Sequence, residues 1–287
     1  MNRRLHQVFL ADGKRLHLQD GPVDLVIQAF GPPAEISRAY AAAISRMATL
    51  LDEMCAELLL LRRAAPQPLR GPVARRMNRA VLPFCGENFI TPMAAVAGAV
   101  ADEVLAAMRA AASLQRAYVN NGGDIALHLS PGTSFTAGVV SRPDRPALDG
   151  GLRVASTCRT RGIATSGWQG RSFSLGIADA VTVTAANAAA ADAAATMIAN
   201  ATNLAFHPVI SRAPASHIDP QSDLGNRLVT VGVGALTKAE KDQALAAGSA
   251  LAQKYLAGRL ITGAAIYVQN EARIITGDHQ LKELELA

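Results

Sequence analysis

Residues 174–201 read SLGIADAVTVTAANAAAADAAATMIANA, and this stretch decides the class of fold. Ala180 to Thr184 alternates small, branched and hydroxyl residues in the manner of a strand. Asn187 then stands where a helix cap belongs, and an alanine-rich helix runs on to about Thr202. Although Ala180 to Phe206 is the most apolar long stretch, Asp192 and several Thr and Asn interrupt it. Alanine also contributes little to membrane insertion, so the reading is a buried helix and not a span.

The same alternation of strand and helix extends outward in both directions. Toward the N-terminus, Ala11-Asp12-Gly13 separates two alternating runs as a hairpin turn, and Val23 to Phe30 adds a third strand that Gly31-Pro32-Pro33 stops. Ile36, Tyr40, Ile44, Met47, Leu51, Met54, Leu58 and Leu61 recur every three or four residues, which predicts an amphipathic helix over 34–61. Thr91-Pro92 opens a second helix from Met93 to about Ala111, with small residues at Ala94, Ala97, Gly98 and Ala101. Strands are expected at Gln115–Val119, Ile125–Leu129, Ser134–Val140 and Leu152–Ser156. Beyond the central stretch come a strand at Leu228–Val233, a helix at Lys238–Leu256 and a hairpin over Ile261–Thr276. Strands in meanders with helices between the groups make this an α+β fold with antiparallel or mixed sheets and packed helices. The 287 residues are read as one domain, 1–287, with an N-terminal lobe at 1–80 and a core lobe at 81–287.

Composition narrows the function classes. Half the residues are hydrophobic, 57 are Ala and 18% are charged, which excludes collagen-like, disordered and small disulfide-stapled chains. Three cysteines, Cys55, Cys85 and Cys158, support neither a disulfide framework nor a zinc ribbon. With a short apolar run at the N-terminus and no export signal, the expected location is cytoplasmic. The net charge of +5 is carried mainly by 23 Arg. Arg62, Arg63, Arg70, Arg75, Arg76 and Arg79 cluster with no acid from Leu58 through Gly86, interspersed with Pro66, Pro68, Gly71 and Pro72, so this segment reads as a basic linker loop. It suits phosphate or an acidic partner. No aromatic residues are interleaved to stack bases, and neither a nucleic-acid nor a membrane partner is expected.

Several constellations bear on chemistry. Asn120-Asn121-Gly122-Gly123-Asp124 joins two strands and suits either a plain hairpin turn or backbone contact to a ligand. Thr160-Arg161-Gly162-Ile163-Ala164-Thr165-Ser166-Gly167 gathers hydroxyls, glycines and a guanidinium, a composition that grips phosphate or ribose but is also ordinary for a loop. Asp192 and Thr196, four apart on a helix, place two hard oxygen donors on one face, as Mg²⁺ requires. The six histidines show no HxxxH or HExxH spacing, and GxSxG, Walker and GxGxxG motifs are absent. Ser216-His217-Ile218-Asp219-Pro220 reads as a polar turn.

Taken in order, Gly122-Gly123-Asp124, Ala164-Thr165-Ser166-Gly167 and Asp192-Ala193-Ala194-Ala195-Thr196 resemble motifs of the ApbE superfamily of flavin transferases. TPMAAVAGAVADE (91–103), YVNNGGDIALHL (118–129), the stretch 174–201 and SDLGNRLVTVGVG (222–234) are more similar still to the ApbE-like family within it. The resemblance implies a two-lobed ApbE-like architecture and a flavin or adenine-nucleotide ligand, with FAD or FMN and Mg²⁺ as cofactors. It also implies transfer of FMN to a threonine of an acceptor protein, or cleavage of the flavin pyrophosphate. On it, Asp192 and Thr196 would bind the metal. Asn121, Gly122, Gly123 and Asp124 would border the ligand, and Thr165, Ser166 and Gly167 would line the same pocket. Arg161 and Arg171 are the candidates for stabilising phosphate charge in catalysis. Two departures stand out. Ala97-Gly98 lies where the family helix AxAKGYAVD carries Lys, and His217-Ile218-Asp219-Pro220 follows the metal helix, where the family's HxxDP precedes it. The alternative reading is a non-catalytic flavin-like binding or accessory protein, with sulfur metabolism through Cys85 or Cys158 as one context. A homodimer is expected from the many small-residue faces.

Overall fold

The computed structural model describes residues 5–86, 89–139 and 150–277. In chain order the strands and helices begin with β1 (His6–Phe9), β2 (Leu16–Asp20), β3 (Val23–Phe30), α1 (Pro33–Ala56), α2 (Leu58–Leu61) and α3 (Pro72–Val81). Then come α4 (Val96–Ala111), β4 (Arg116–Asn121), β5 (Asp124–Leu129), β6 (Ser134–Val139), β7 (Gly150–Ala155), β8 (Gly162–Ser166), β9 (Ala180–Ala185) and α5 (Ala188–Ala201). The C-terminal part holds β10 (Ile210–Pro214), α6 (Ala215–Ile218), β11 (Leu228–Val233), α7 (Lys238–Ala257), β12 (Gly263–Val268) and β13 (Glu271–Thr276). The fold is α+β, with antiparallel sheets and packed helices. Val140, the last residue of the strand expected at 134–140, lies outside the described residues.

The chain forms two compact units. The first comprises Met1–Phe135, Ala155–Ala164 and Ala186–Asp192. Its strands run β1-β2-β3-β4-β5 as an antiparallel meander, and the start of β8 pairs with β5 through Ile125 opposite Ile163 and Ala126 opposite Gly162. Residues of β3 and β4 alternate buried and half-buried, so one face carries Leu25, Ile27, Ala29, Ala117 and Val119 into the core. Helix α1 covers the β2–β3 part of that face and α4 the β4–β5 part. Tyr40, Met47, Leu51 and Met54 of α1 are buried, as the spacing of its apolar residues predicts, and Leu50 is buried with them.

The second unit comprises Thr136–Val154, Thr165–Ala185 and Ala193–Ala287. Here β12 lies antiparallel between β9 and β13, and every residue of β9 and β12 is buried. Helix α7 packs on β12 and β13 and begins with a reciprocal cap. Glu240 N donates to Thr237 Oγ1, and Thr237 N donates to Glu240 Oε2. Strands β10 and β11 form a separate two-stranded ribbon.

Three sequence expectations change. The arginine-rich segment read as a linker contains a helix, α3, which starts with Pro72 in its first turn and buries Val73, Ala74, Met77 and Val81. Glu57 fixes the entry to α3 by accepting from Arg70 N and Gly71 N, both at 2.7 Å. An acid just outside the acid-free window thus supplies what the segment lacks. The hydroxyl-rich stretch read as a loop is largely strand β8, because its main chain continues the ladder from β5. The helix expected from Met93 starts as a 3-10 turn, Pro92–Ala95, before α4.

The tightest packing in the first unit is at the start of α5. A Cβ on Gly98 would fall 2.3 Å from Ala188 O, and one on Gly162 would fall 2.1 Å from the carbonyl carbon of Asn187. Glycine lets α4 close on the Ala188–Ala189 peptide and β8 on the Asn187–Ala188 peptide before it. Gly98→Ala and Gly162→Ala should therefore each destabilise the chain by about 3 kcal/mol or more, read as a fall in the urea midpoint. Unchanged midpoints would disprove the close approach.

Candidate functional site

The site is assembled from two helix ends and one hairpin, all in the first unit. Asp102 lies in the second turn of α4 and Asp192 in the second turn of α5. Each reaches the amide end of the other helix. Asp102 Oδ1 accepts from Ala188 N at 3.1 Å and its Oδ2 from Ala189 N at 2.9 Å. Asp192 Oδ2 accepts from Gly98 N at 3.0 Å, and its carboxyl is also bonded by the Ala97 amide. Asn187 Oδ1 takes the Ala190 amide at 2.8 Å, so the first three amides of α5 are all bonded.

The hairpin adds the third wall. Asn121 and Asp124 face each other across the two-residue turn Gly122-Gly123, whose φ values of +63° and +112° only glycine adopts at little cost. The glycines are exposed, whereas Asn121 and Asp124 are buried on the inner face of the sheet. Asn121 Nδ2 donates to Ala97 O at 3.1 Å, and Asp124 is hydrogen-bonded to the Asp192 side chain. Two carboxyl groups in such contact must share a proton or a cation.

Burial governs the electrostatics. It pushes the Asp192 carboxyl well above the ordinary carboxylate range, against the lowering effect of the Gly98 amide, Asp124 and the Ala97 amide, and Asp102 pushes in the same direction as burial. Burial likewise raises Asp102 to about 6, although the Ala189 and Ala188 amides and Arg76 oppose it. Next to Asp102, Glu103 is held low by Arg76 and Arg46 despite its own burial, with Nε contacts of 2.7 and 3.0 Å. Arg46 also pairs with Glu53 at 2.7 Å.

Of the residues singled out from sequence, the first unit brings together Asn121, Asp124 and Asp192, with Gly122 and Gly123 at the hairpin tip. Arg161, in the same unit, directs its guanidinium to the carbonyls of Thr160, Cys158 and Ser156 at 2.6, 2.7 and 2.9 Å. Thr165, Ser166, Gly167, Arg171 and Thr196 belong to the second unit. There the exposed Thr165 bonds the Thr182 hydroxyl at 2.9 Å, and Arg171 is exposed. A Cβ on Gly167 would fall 2.2 Å from Asp179 O. Asp179 in turn accepts from Trp168 Nε1 at 3.0 Å and from Gln269 N at 2.6 Å. His217 and Asp219 lie at the end of α6, where Asp219 Oδ1 takes the Gln221 amide, a polar turn. Sequence reasoning missed Asp102. Its signal was an acid in an apolar, small-residue helix, costly there unless partnered. Among the described residues, no group of three or more His, Cys, Asp or Glu has an arrangement that could hold a metal, and no helix is long and apolar enough to cross a membrane.

An α+β scaffold that brings two aspartates and a glycine hairpin to a helix amide end has a solved counterpart in fold. It superposes on a variant of the flavin transferase ApbE from Vibrio cholerae with a TM-score of 0.50 at 11% identity, over 99% of this chain and 100% of the other. That likeness is one of fold. Residues 7–276 match the family described as AbpE bacteria, and the chain belongs to that family. It is also similar to a UPF0280 protein from Methanopyrus kandleri, 42% identical over 134 residues, 46% of this chain and 49% of the relative. Another, from Methanosphaerula palustris, is 38% identical over 144 residues, 46% of this chain and 54% of the relative. The aligned portion thus spans about half the length of these curated relatives.

The raised Asp102 carboxyl gives stability a definite pH dependence. From about pH 4 the unfolded chain loses this proton, while the folded chain keeps it up to about 6. Unfolding in that window releases a proton, so stability falls as pH rises from about 4 to about 6, and beyond that the loss is complete. Urea midpoints measured across this range should decline in the wild type and decline less steeply in Asp102→Asn. Equal slopes would contradict the assignment.

Proposed function

We propose that the chain binds a flavin or adenine nucleotide together with Mg²⁺, and that it serves transfer of FMN to an acceptor protein or cleavage of the flavin pyrophosphate. The observation that carries the reading is the contact between the Asp124 and Asp192 carboxyls at the amide end of α4. The donor types fit a hard cation: two carboxylates, the Ala97 carbonyl and, one helical turn from Asp192, the Thr196 hydroxyl. Membership of the family and the fold shared with a flavin transferase support the same reading. When bound, Mg²⁺ supplies charge neutralisation at phosphate oxygens.

The chain's own part is positioning. In this reading Asp192 and Thr196 hold the ion, and Asp124 shares the charge and fixes the Asp192 rotamer. The Gly122 and Gly123 amides, with Asn121 behind them, border the ligand. For Thr165, Ser166, Gly167 and the exposed Arg171, which belong to the second unit, a ligand-binding role is supported by the motif resemblance alone. A second reading, binding without turnover, is favoured by two observations: Arg161 is committed to three main-chain carbonyls, and Ala97-Gly98 replaces the lysine of the resembling motif.

Melting curves with FAD, FMN or ADP, each with and without Mg²⁺, together with an assay for AMP, separate these outcomes. A Mg²⁺-dependent rise with FAD, accompanied by AMP release, is the expected result. A rise without AMP selects the binding reading, and no shift with any ligand overturns both. Asp192→Asn should lose the Mg²⁺-dependent part of the rise, by tenfold or more in apparent affinity, and its melt without ligand reports whether the helix ends survive.

A further inference from the structure

The arginine-rich segment separates into two groups once its partners are known. Arg76 is bonded to Glu103 and, through it, to Arg46. Among the described residues, Arg62, Arg63, Arg70, Arg75 and Arg79 make no side-chain hydrogen bond or ion pair. All are exposed except the half-buried Arg62. Glu57 is engaged with the Arg70 and Gly71 amides, Glu53 with Arg46, and Glu103 as above.

Helical spacing sets these cations beside exposed leucines. Arg75, Arg79 and Leu82 follow one another at four and three residues along the outward face of α3 and the turn that continues it, opposite the buried stripe of Val73, Ala74, Met77 and Val81. Leu59 precedes Arg62 and Arg63 by three and four residues on the turn formed by α2. Leu59 is 81% exposed and Leu82 45%. The intervening loop is tied to α3 by paired bonds, Gln67 N to Asn78 Oδ1 at 3.1 Å and Asn78 Nδ2 to Gln67 O at 3.0 Å. Both leucine–arginine groups therefore belong to one connected region of the first unit.

We propose that these leucine–arginine groups of α2 and α3 dock the protein onto a membrane surface rich in anionic phospholipid. Guanidinium groups meet lipid phosphates in bidentate fashion, each basic residue near such a surface strengthens binding about fivefold, and single leucines beside them enter the headgroup boundary. The face offers no exposed aromatic side chain for base stacking, since Phe84 is buried, which disfavours single-stranded nucleic acid. Docking of this kind needs no spanning helix.

The test is co-sedimentation of the full chain with phosphatidylcholine vesicles, with and without about one third phosphatidylglycerol. Binding should require the anionic lipid and disappear near about 0.5 M salt. Arg75→Glu with Arg79→Glu should weaken it by about thirtyfold or more, and Arg62→Glu with Arg63→Glu similarly. Leu59→Ser with Leu82→Ser should weaken it several-fold with salt sensitivity retained. Lys238→Glu with Lys254→Glu, which reverses the same charge elsewhere, should leave it unchanged, and unaltered melting curves certify that each variant is folded. Equal sedimentation with neutral and anionic vesicles would overturn the proposal. So would full anionic binding by both arginine double variants, or displacement from vesicles by stoichiometric single-stranded RNA or an acidic peptide.

Discussion

Two carboxylates exchange helix ends: Asp102 of α4 binds the first amides of α5, and Asp192 of α5 binds amides in the first turn of α4. A helix start leaves amides without partners and concentrates positive partial charge, so each acid meets both needs of the helix it faces. Neither aspartate, each half-buried, could be withdrawn from water as cheaply alone. The arrangement also brings Asp192 next to Asp124, and the chemistry proposed for the chain grows out of that contact. A structural role and the proposed metal-holding role would then fall on the same carboxyl group.

Much of the fold was legible because its signals are local. Alternating burial in β3 and β4 follows from period-two sequence, the spacing from Ile36 to Met54 gives α1, and Thr237 with Glu240 marks the start of α7. What escaped depended on distant groups. Helix α3 is poor in the usual first-turn acids, and its entry is fixed by Glu57 from the preceding helix. Strand β8 looks like a loop by composition and becomes a strand because β5 offers its edge.

The site divides in the same way. Asp192 and the Gly122-Gly123 turn could be singled out because a lone acid among alanines and a double glycine between strands are conspicuous in sequence. Asp102 stands beside Glu103 in the small-residue helix and is less conspicuous, and its partners lie 86 and 87 residues away, where no spacing rule reports them. Arg161 shows the reverse limit. Its neighbours suggest phosphate binding, whereas the fold turns its guanidinium back onto its own main chain.

The Asn187–Ala188 peptide lies against Gly162 and the next one, Ala188–Ala189, against Gly98, and the amides of both are tied to a carboxylate on α4. Most helices fray at their ends one turn at a time. Here the start of α5 cannot loosen without uncapping and unpacking α4, so these two helix ends open as one cooperative element, and their slowest-exchanging amides report a shared event.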